Sequence, residues 1–258
     1  MSLIKKAWAN LGIGNAKVDA ILQQDVVLPG DTVMIKVDVY GGSEPQYVDD
    51  IQLRVCCQYW REAKESQTTS IRAKQTHTLA RWHLPYGFVI EPGVQRTFNA
   101  ELTLPRNTPV TIGDAKVWMA TSLDIAKAAD PSDAEGVTVR PDPLLDGVLS
   151  ALEAQGLRIR RVECEAASGF QPPFVQVFEF VPTTGPFHGR WRELEMMVHR
   201  QENAWWLWFA IDRNRSGRLA MFASALDLSA ASLILETHLS PDVAGQCVID
   251  HLMTLSDF

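Results

Sequence analysis

From residue 16 to residue 140, apolar and polar side chains alternate in short runs: Val33, Ile35, Val37 and Val39; then Ile51, Leu53, Val55 and Cys57; then Phe98, Ala100, Leu102 and Leu104. A period of two places every second side chain on one face of an extended strand, so each run predicts a strand with one buried face. Turn residues separate the runs, with Pro29 before Gly30, Gly41 before Gly42, Pro92 before Gly93, and Asn107 near Pro109. Strands of this kind, with no helical pattern between them, pack as two facing antiparallel sheets. The first half of the chain therefore predicts a β-sandwich.

Residues 129–143 are rich in Pro and Asp and poor in apolar runs, which suits a connection between domains. The period then changes. Asp142 stands where an N-cap belongs, Pro143 opens the helix, and Leu144, Leu145, Val148, Leu149 and Leu152 share one face until Gly156 stops it. Strand patterns resume over residues 157–165, 174–181, 193–198, 205–212 and 233–238. A second helix begins at Ser240 and Pro241, with Val243, Ala244, Cys247, Val248 and Leu252 along one stripe. The predicted class is all-β: two antiparallel β-sandwich domains at 1–140 and 157–258, a connecting helix at 141–156, and short N-terminal and C-terminal helices.

Residues 2–11 carry Leu3, Ile4, Ala7, Trp8 and Leu11 at helical spacing beside Lys5 and Lys6. Such a helix can rest on a membrane surface, but its small size and modest charge favour docking on the domain. No apolar run approaches the roughly 20 residues that span a bilayer. With 258 residues, 46% of them hydrophobic, the chain can bury a large core, and its formal net charge of -7 disfavours nucleic acid as a partner. Cys56, Cys57, Cys164 and Cys247 show no metal-ligand spacing, and Cys56 and Cys57 point to opposite faces of a strand. They read as small hydrophobes in a reducing compartment, which predicts the cytoplasm.

Candidate chemistry is sparse. Residues 212–217 imitate the start of a calcium loop, but Ala223 stands where the final Glu ligand belongs, and Arg213, Arg215 and Arg218 would oppose a dication. Gly12, Ile13 and Gly14 lack the third glycine of a dinucleotide loop. His77, His83, His188, His199, His238 and His251 are scattered and read as structural or solvated. Asp130, Asp133, Glu135, Asp142 and Asp146 read as solvating the linker. No catalytic, cofactor-binding or metal-binding residue is predicted. Trp205, Leu207 and Phe209 alternate with Trp206 and Trp208, so if one set fills a core the other needs a helix, another domain, a protein partner or a sugar against it. The candidate interface residues are Trp206 and Trp208 on that strand, and Val248 and Leu252 on the last helix.

Several spaced blocks carry a family pattern. They include Gly12 to Gly14 with Ala16, Lys17, Val18 and Asp19; Leu104 and Pro105; Thr108 to Thr111; Lys116, Val117 and Trp118; Asp130 and Pro131; Val162 to Glu165; Phe178 to Pro182; and Gly185, Pro186 and Phe187. Together they resemble the SpoOM-type sporulation-control family, whose members look like bacterial relatives of arrestins. Residues 60–83 and 200–231 follow the pattern least. The resemblance implies an arrestin-like fold and a non-enzymatic regulatory or adaptor role through protein partners. A homodimer is expected separately, from the apolar helix faces and the unpaired strand edges of an open sandwich. The basic phosphate-sensing side chains of animal arrestins have no counterpart that maps onto this sequence. A lectin-like binding module and an enzyme with a dispersed site remain the alternatives, because sandwich folds host many functions.

Overall fold

Alternation of buried and exposed positions builds both sheets of the first unit. In the computed structural model, which describes residues 15–64, 70–84, 87–125, 132–212 and 232–256, the strands of that unit are β1 (Lys17–Leu22), β2 (Thr32–Tyr40), β3 (Gln46–Lys64), β4 (Ser70–His83), β5 (Phe88–Ile90), β6 (Gln95–Thr103), β7 (Val117–Ile125) and β8 (Ser132–Gly136). Strands β1, β2 and β6 form one antiparallel sheet in the order β1-β2-β6. In the other sheet β3 pairs with β4, β5 and β7, and β7 pairs with β8. Val33, Ile35, Val37 and Val39 of β2 are buried, as are Ile51, Leu53, Val55 and Cys57 of β3 and Val117, Met119, Leu123 and Ile125 of β7. Phe88 of β5 meets Phe98 of β6 with ring centroids 5.0 Å apart, a contact from one sheet to the other. The chain is all-β in class, as its alternation predicts. The expected N-terminal helix at residues 2–11, the glycines Gly12 and Gly14, and the calcium-like segment from Arg213 to Ala223 lie outside the described residues.

The chain divides into two units that change over between Val139 and Arg140, and the second unit also takes Gln58–Gln75 and Pro109–Ala115. A linear division near residue 140 leaves both of those segments in the first. Hydrogen bonding explains why they join the second: Trp60 of β3 pairs with Glu165 of β9 (Leu157–Ala166), and Val110 is clasped by a side chain. The Gln176 amide donates to the Val110 carbonyl at 2.8 Å, and its Oε1 accepts from the Val110 amide at 3.0 Å, so a buried side chain imitates a strand partner. One expected connection is a strand instead. β8 lies inside residues 129–143 and pairs with β7 in register Thr121↔Asp133, because backbone groups beside an open strand edge gain more from pairing than from solvation.

In the second unit the sheet order is β13-β12-β11-β10-β9-β3, with β10 at Phe174–Pro182, β11 at Glu193–Gln201, β12 at Ala204–Asp212 and β13 at Ser232–Glu236. Helices α1 (Pro143–Ala154) and α2 (Pro241–Ser256) pack on one face of it. That face presents Val162, Phe178, Phe180, Leu194, Met196, Val198, Trp205, Leu207 and Phe209, and the helices bring Leu144, Leu145, Val148, Leu152, Ala244 and Ile249. Gly147 and Gly245 let the helices approach closely: a Cβ on Gly147 would lie 2.5 Å from the Pro241 carbonyl oxygen, and one on Gly245 would lie 2.7 Å from Ala151 Cβ. Gly156 ends α1 at φ 82, a conformation that costs an L side chain but not glycine.

Asp142 caps α1 and does more. Its Oδ1 accepts from the Leu145 amide at 2.9 Å, while its Oδ2 accepts from Arg200 Nη1 at 2.9 Å and from Trp205 Nε1 at 3.1 Å. It is not a linker-solvating acid, because three donors converge on it. Val248 and Leu252 are likewise corrected from interface to core. Both are fully buried in the cluster beneath α2, since the stripe that marks a helix as amphipathic faces the sheet of its own unit.

Two substitutions test this packing. Val248→Lys buries an unpaired charge and should destabilise the second unit by more than about 4 kcal/mol, seen as loss of cooperative unfolding by circular dichroism. Asp142→Ala removes a cap and strips a carboxylate from a largely buried Arg200. It should cost about 2–4 kcal/mol in urea denaturation.

Candidate binding face

On the face of this sheet turned away from α1 and α2, the same alternation sorts the opposite set of residues. Val175, Val177 and Glu179 of β10 stand there, with Glu193, Glu195, Met197 and His199 of β11 and Trp206 and Trp208 of β12. Val175, Val177 and Met197 form a small apolar cluster with Ala167, Phe170 and Trp208 packed against it.

Aromatic groups dominate one end. The Trp206 and Trp208 rings lie 6.0 Å apart, and Phe170 meets Trp208 edge-on at 5.6 Å and His199 edge-on at 4.9 Å. Trp206 sits directly opposite His199 on one side and Ile234 on the other, and Ile234 is 50% exposed. Both tryptophans are half-buried. His199 is buried, and that burial lowers its pKa, so the ring stays neutral near pH 7. The structure thus brings Trp206 and Trp208 together and puts Val248 and Leu252 on the other side of the sheet. The histidines do not converge: His251 lies 5.6 Å from Phe209, on the helix-covered face.

Charge dominates the other end. The β9–β10 register slips between Glu179 and Phe180, leaving Arg160 as an extra residue without a partner opposite. The bulge turns its guanidinium to Glu179 and Glu193, both of which it contacts. Ligand oxygens of Glu179, Glu193 and Glu195 lie within 4.8 Å of one another, a grouping that could hold a cation, but Arg160 already supplies positive charge to two of them.

A second network joins β4 to β9. Arg72 contacts Glu163 at 2.8 Å and also contacts Glu165, and Arg161 lies 3.5 Å from Glu163. The Arg72 guanidinium lies 4.4 Å above the Trp60 ring, with the Lys74 ammonium 4.9 Å from the same ring. Burial outweighs the attraction of Arg72 and pushes the Glu165 carboxyl up to about 7. Sequence reading missed these networks. Glu163 and Glu165 carried a visible signal, two carboxylates on one face of a strand, but Arg72 is distant in sequence and only the fold delivers it.

Glu165 makes stability depend on pH in a stated direction. Its folded pKa, about 7, lies above the ordinary 4.5, so the folded chain keeps a proton that the unfolded chain has released. The contribution is fully present below the unfolded value and is lost as pH rises through the folded one. Glu165→Gln should remove that component: the wild type should lose melting temperature between pH 4.5 and 7 relative to the variant. Parallel melting profiles across this range would contradict the assignment.

With this geometry in view, the relatives are informative. The SpoOM protein family matches residues 4–215 of this chain. The sporulation-control protein spo0M of Bacillus subtilis (strain 168) is 36% identical over 219 residues, covering 84% of this chain and 83% of the relative. The crystal structure of Spo0M from Bacillus subtilis aligns with a TM-score of 0.78 at 30% identity, covering 95% of this chain and 99% of that one. The β-rich architecture of the described residues and a match over most of the sequence agree, and the chain belongs to the SpoOM protein family.

Proposed function

We propose that this chain is a non-enzymatic regulatory adaptor that works in the cytoplasm by binding protein partners, with Trp206 and Trp208 at the centre of the contact. The observation that carries this reading is the aromatic end of the binding face: two half-buried indoles 6.0 Å apart beside Ile234, which is 50% exposed. Aromatic anchors flanked by apolar surface are the usual source of affinity between proteins. The name of the Bacillus subtilis relative, a sporulation-control protein, supports a regulatory role. The four cysteines are free, and burial pushes the Cys57 thiol up to about 12, which suits an unreactive hydrophobe in a reducing compartment. A sugar-binding role is the weaker reading, because Ile234 and the buried His199 flank Trp206 where a sugar would call for exposed hydrogen-bonding groups.

Self-association is the simplest form of such binding, and a homodimer is expected. Trp206→Ala combined with Ile234→Ser should weaken the dimer or complex by about tenfold or more in Kd while leaving the circular dichroism spectrum unchanged. Sedimentation velocity reads the dimer, and affinity capture followed by mass spectrometry reads other partners. A monomeric wild type whose captured partners are retained by the double variant would sink the reading.

A further inference from the structure

The first unit holds a cleft of ≈ 340 Å³, walled by Asp50, Gln52 and Arg54 of β3 and by Arg81, Trp82 and His83 of β4. Its size lies at the small end of ligand pockets, which run from about 300 to 1,000 Å³. Asp50 and Arg54 stand four apart on a strand and so share a face. Each has a side-chain atom shielded from water without a hydrogen-bond partner among the described residues, Oδ1 of Asp50 and Nε of Arg54. An acceptor and a donor of opposite charge are therefore both under-served in one wall, which costs the fold until something complementary arrives. Asp50 also lies directly opposite Asp124 of β7, so two like charges share that face. A cationic group at Asp50 relieves this repulsion.

The charges in the wall dictate the ligand. Two guanidiniums, Arg54 and Arg81, call for two carboxylates, and the one carboxylate, Asp50, calls for an ammonium. A phosphate dianion serves the arginines but sets its charge beside Asp50. A dicarboxylate without an amine leaves Asp50 unmatched, and a basic amino acid places its second cation against the arginines. We propose that this cleft is a binding site for a free acidic amino acid, with its two carboxylates on Arg54 and Arg81 and its ammonium on Asp50. The site shares no residue with the Trp206 face, so either reading can fail without the other.

Calorimetric titration of the full chain with L-glutamate, L-aspartate, glutarate, N-acetyl-L-glutamate and inorganic phosphate tests it. The wild type should bind an acidic amino acid saturably and about tenfold more tightly than glutarate or phosphate. Asp50→Asn should erase the gap between L-glutamate and glutarate. Arg81 is exposed, so Arg81→Gln should leave the circular dichroism spectrum intact while weakening L-glutamate and glutarate alike by about tenfold. If Asp50→Asn does not fold, N-acetyl-L-glutamate carries the same comparison on the wild type, and it should bind about tenfold more weakly than L-glutamate. The proposal is overturned by no saturable binding of either acidic amino acid, by phosphate, glutarate or the acetylated ligand binding as tightly as L-glutamate, or by a gap that survives Asp50→Asn.

Discussion

The carboxylate of Asp142 meets three donors at once: the Leu145 amide, the Arg200 guanidinium and the Trp205 indole. A helix cap alone needs only the first. By accepting from β11 and β12 as well, Asp142 fixes where the N-terminus of α1 stands on the sheet, and that position decides which sheet residues meet Leu144, Leu145 and Val148. Such an arrangement is costly to break, because the partly shielded Arg200 and Trp205 donors cannot all find water in its absence. The close approach of α1 and α2 at Gly147 and Gly245 rests on the same placement. Removing side chains there lets the two helices cover the sheet together, so the apolar face of the second unit is closed by helices rather than by another sheet among the described residues.

The opposite face gains its character from strand pairing. Direct cross-strand neighbours share a face, so Trp206 is bound to stand beside His199 and Ile234, and Glu179 beside Glu195. One extra residue in β9 alters this regular pattern at Arg160, which is turned into a group of carboxylates that would otherwise repel one another. The face is therefore divided between an aromatic end, suited to burial against a partner, and an ionic end whose charges largely answer each other. In the proposed partner contact the first would supply affinity and the second orientation, since charge complementarity steers pairing more than it adds net energy.

Much of this was legible along the chain. Alternation marked β2, β3, β6 and the strands from β9 to β12, and the change of period after Asp142 marked α1 with its cap, its leucine face and its glycine stop. Both signals are local: a period of two or 3.6 and a capping geometry depend on residues within a turn or two of each other. β8 escaped because a short strand of Ser, Asp, Ala, Glu and Gly has no apolar period, and its reason to be extended is the open edge of β7. The same limit hid Gln176, whose clasp on Val110 joins residues 66 apart.

Trp206 and Trp208 were recognisable as the second face of a strand, but Val248 and Leu252 looked identical in kind and proved to be core. An apolar stripe reports that a helix buries one face; it carries no information about whether its own sheet or another molecule does the burying. Sequence alone determined the strand and helix periods, the helix cap, the acidic balance and the family, all consequences of neighbouring residues or of their summed composition. The tertiary structure alone decided which apolar faces are covered from within, which distant arginines reach which carboxylates, and where unpaired charges share a cleft. Those depend on strand order and register, and a slip of one residue would reverse every face.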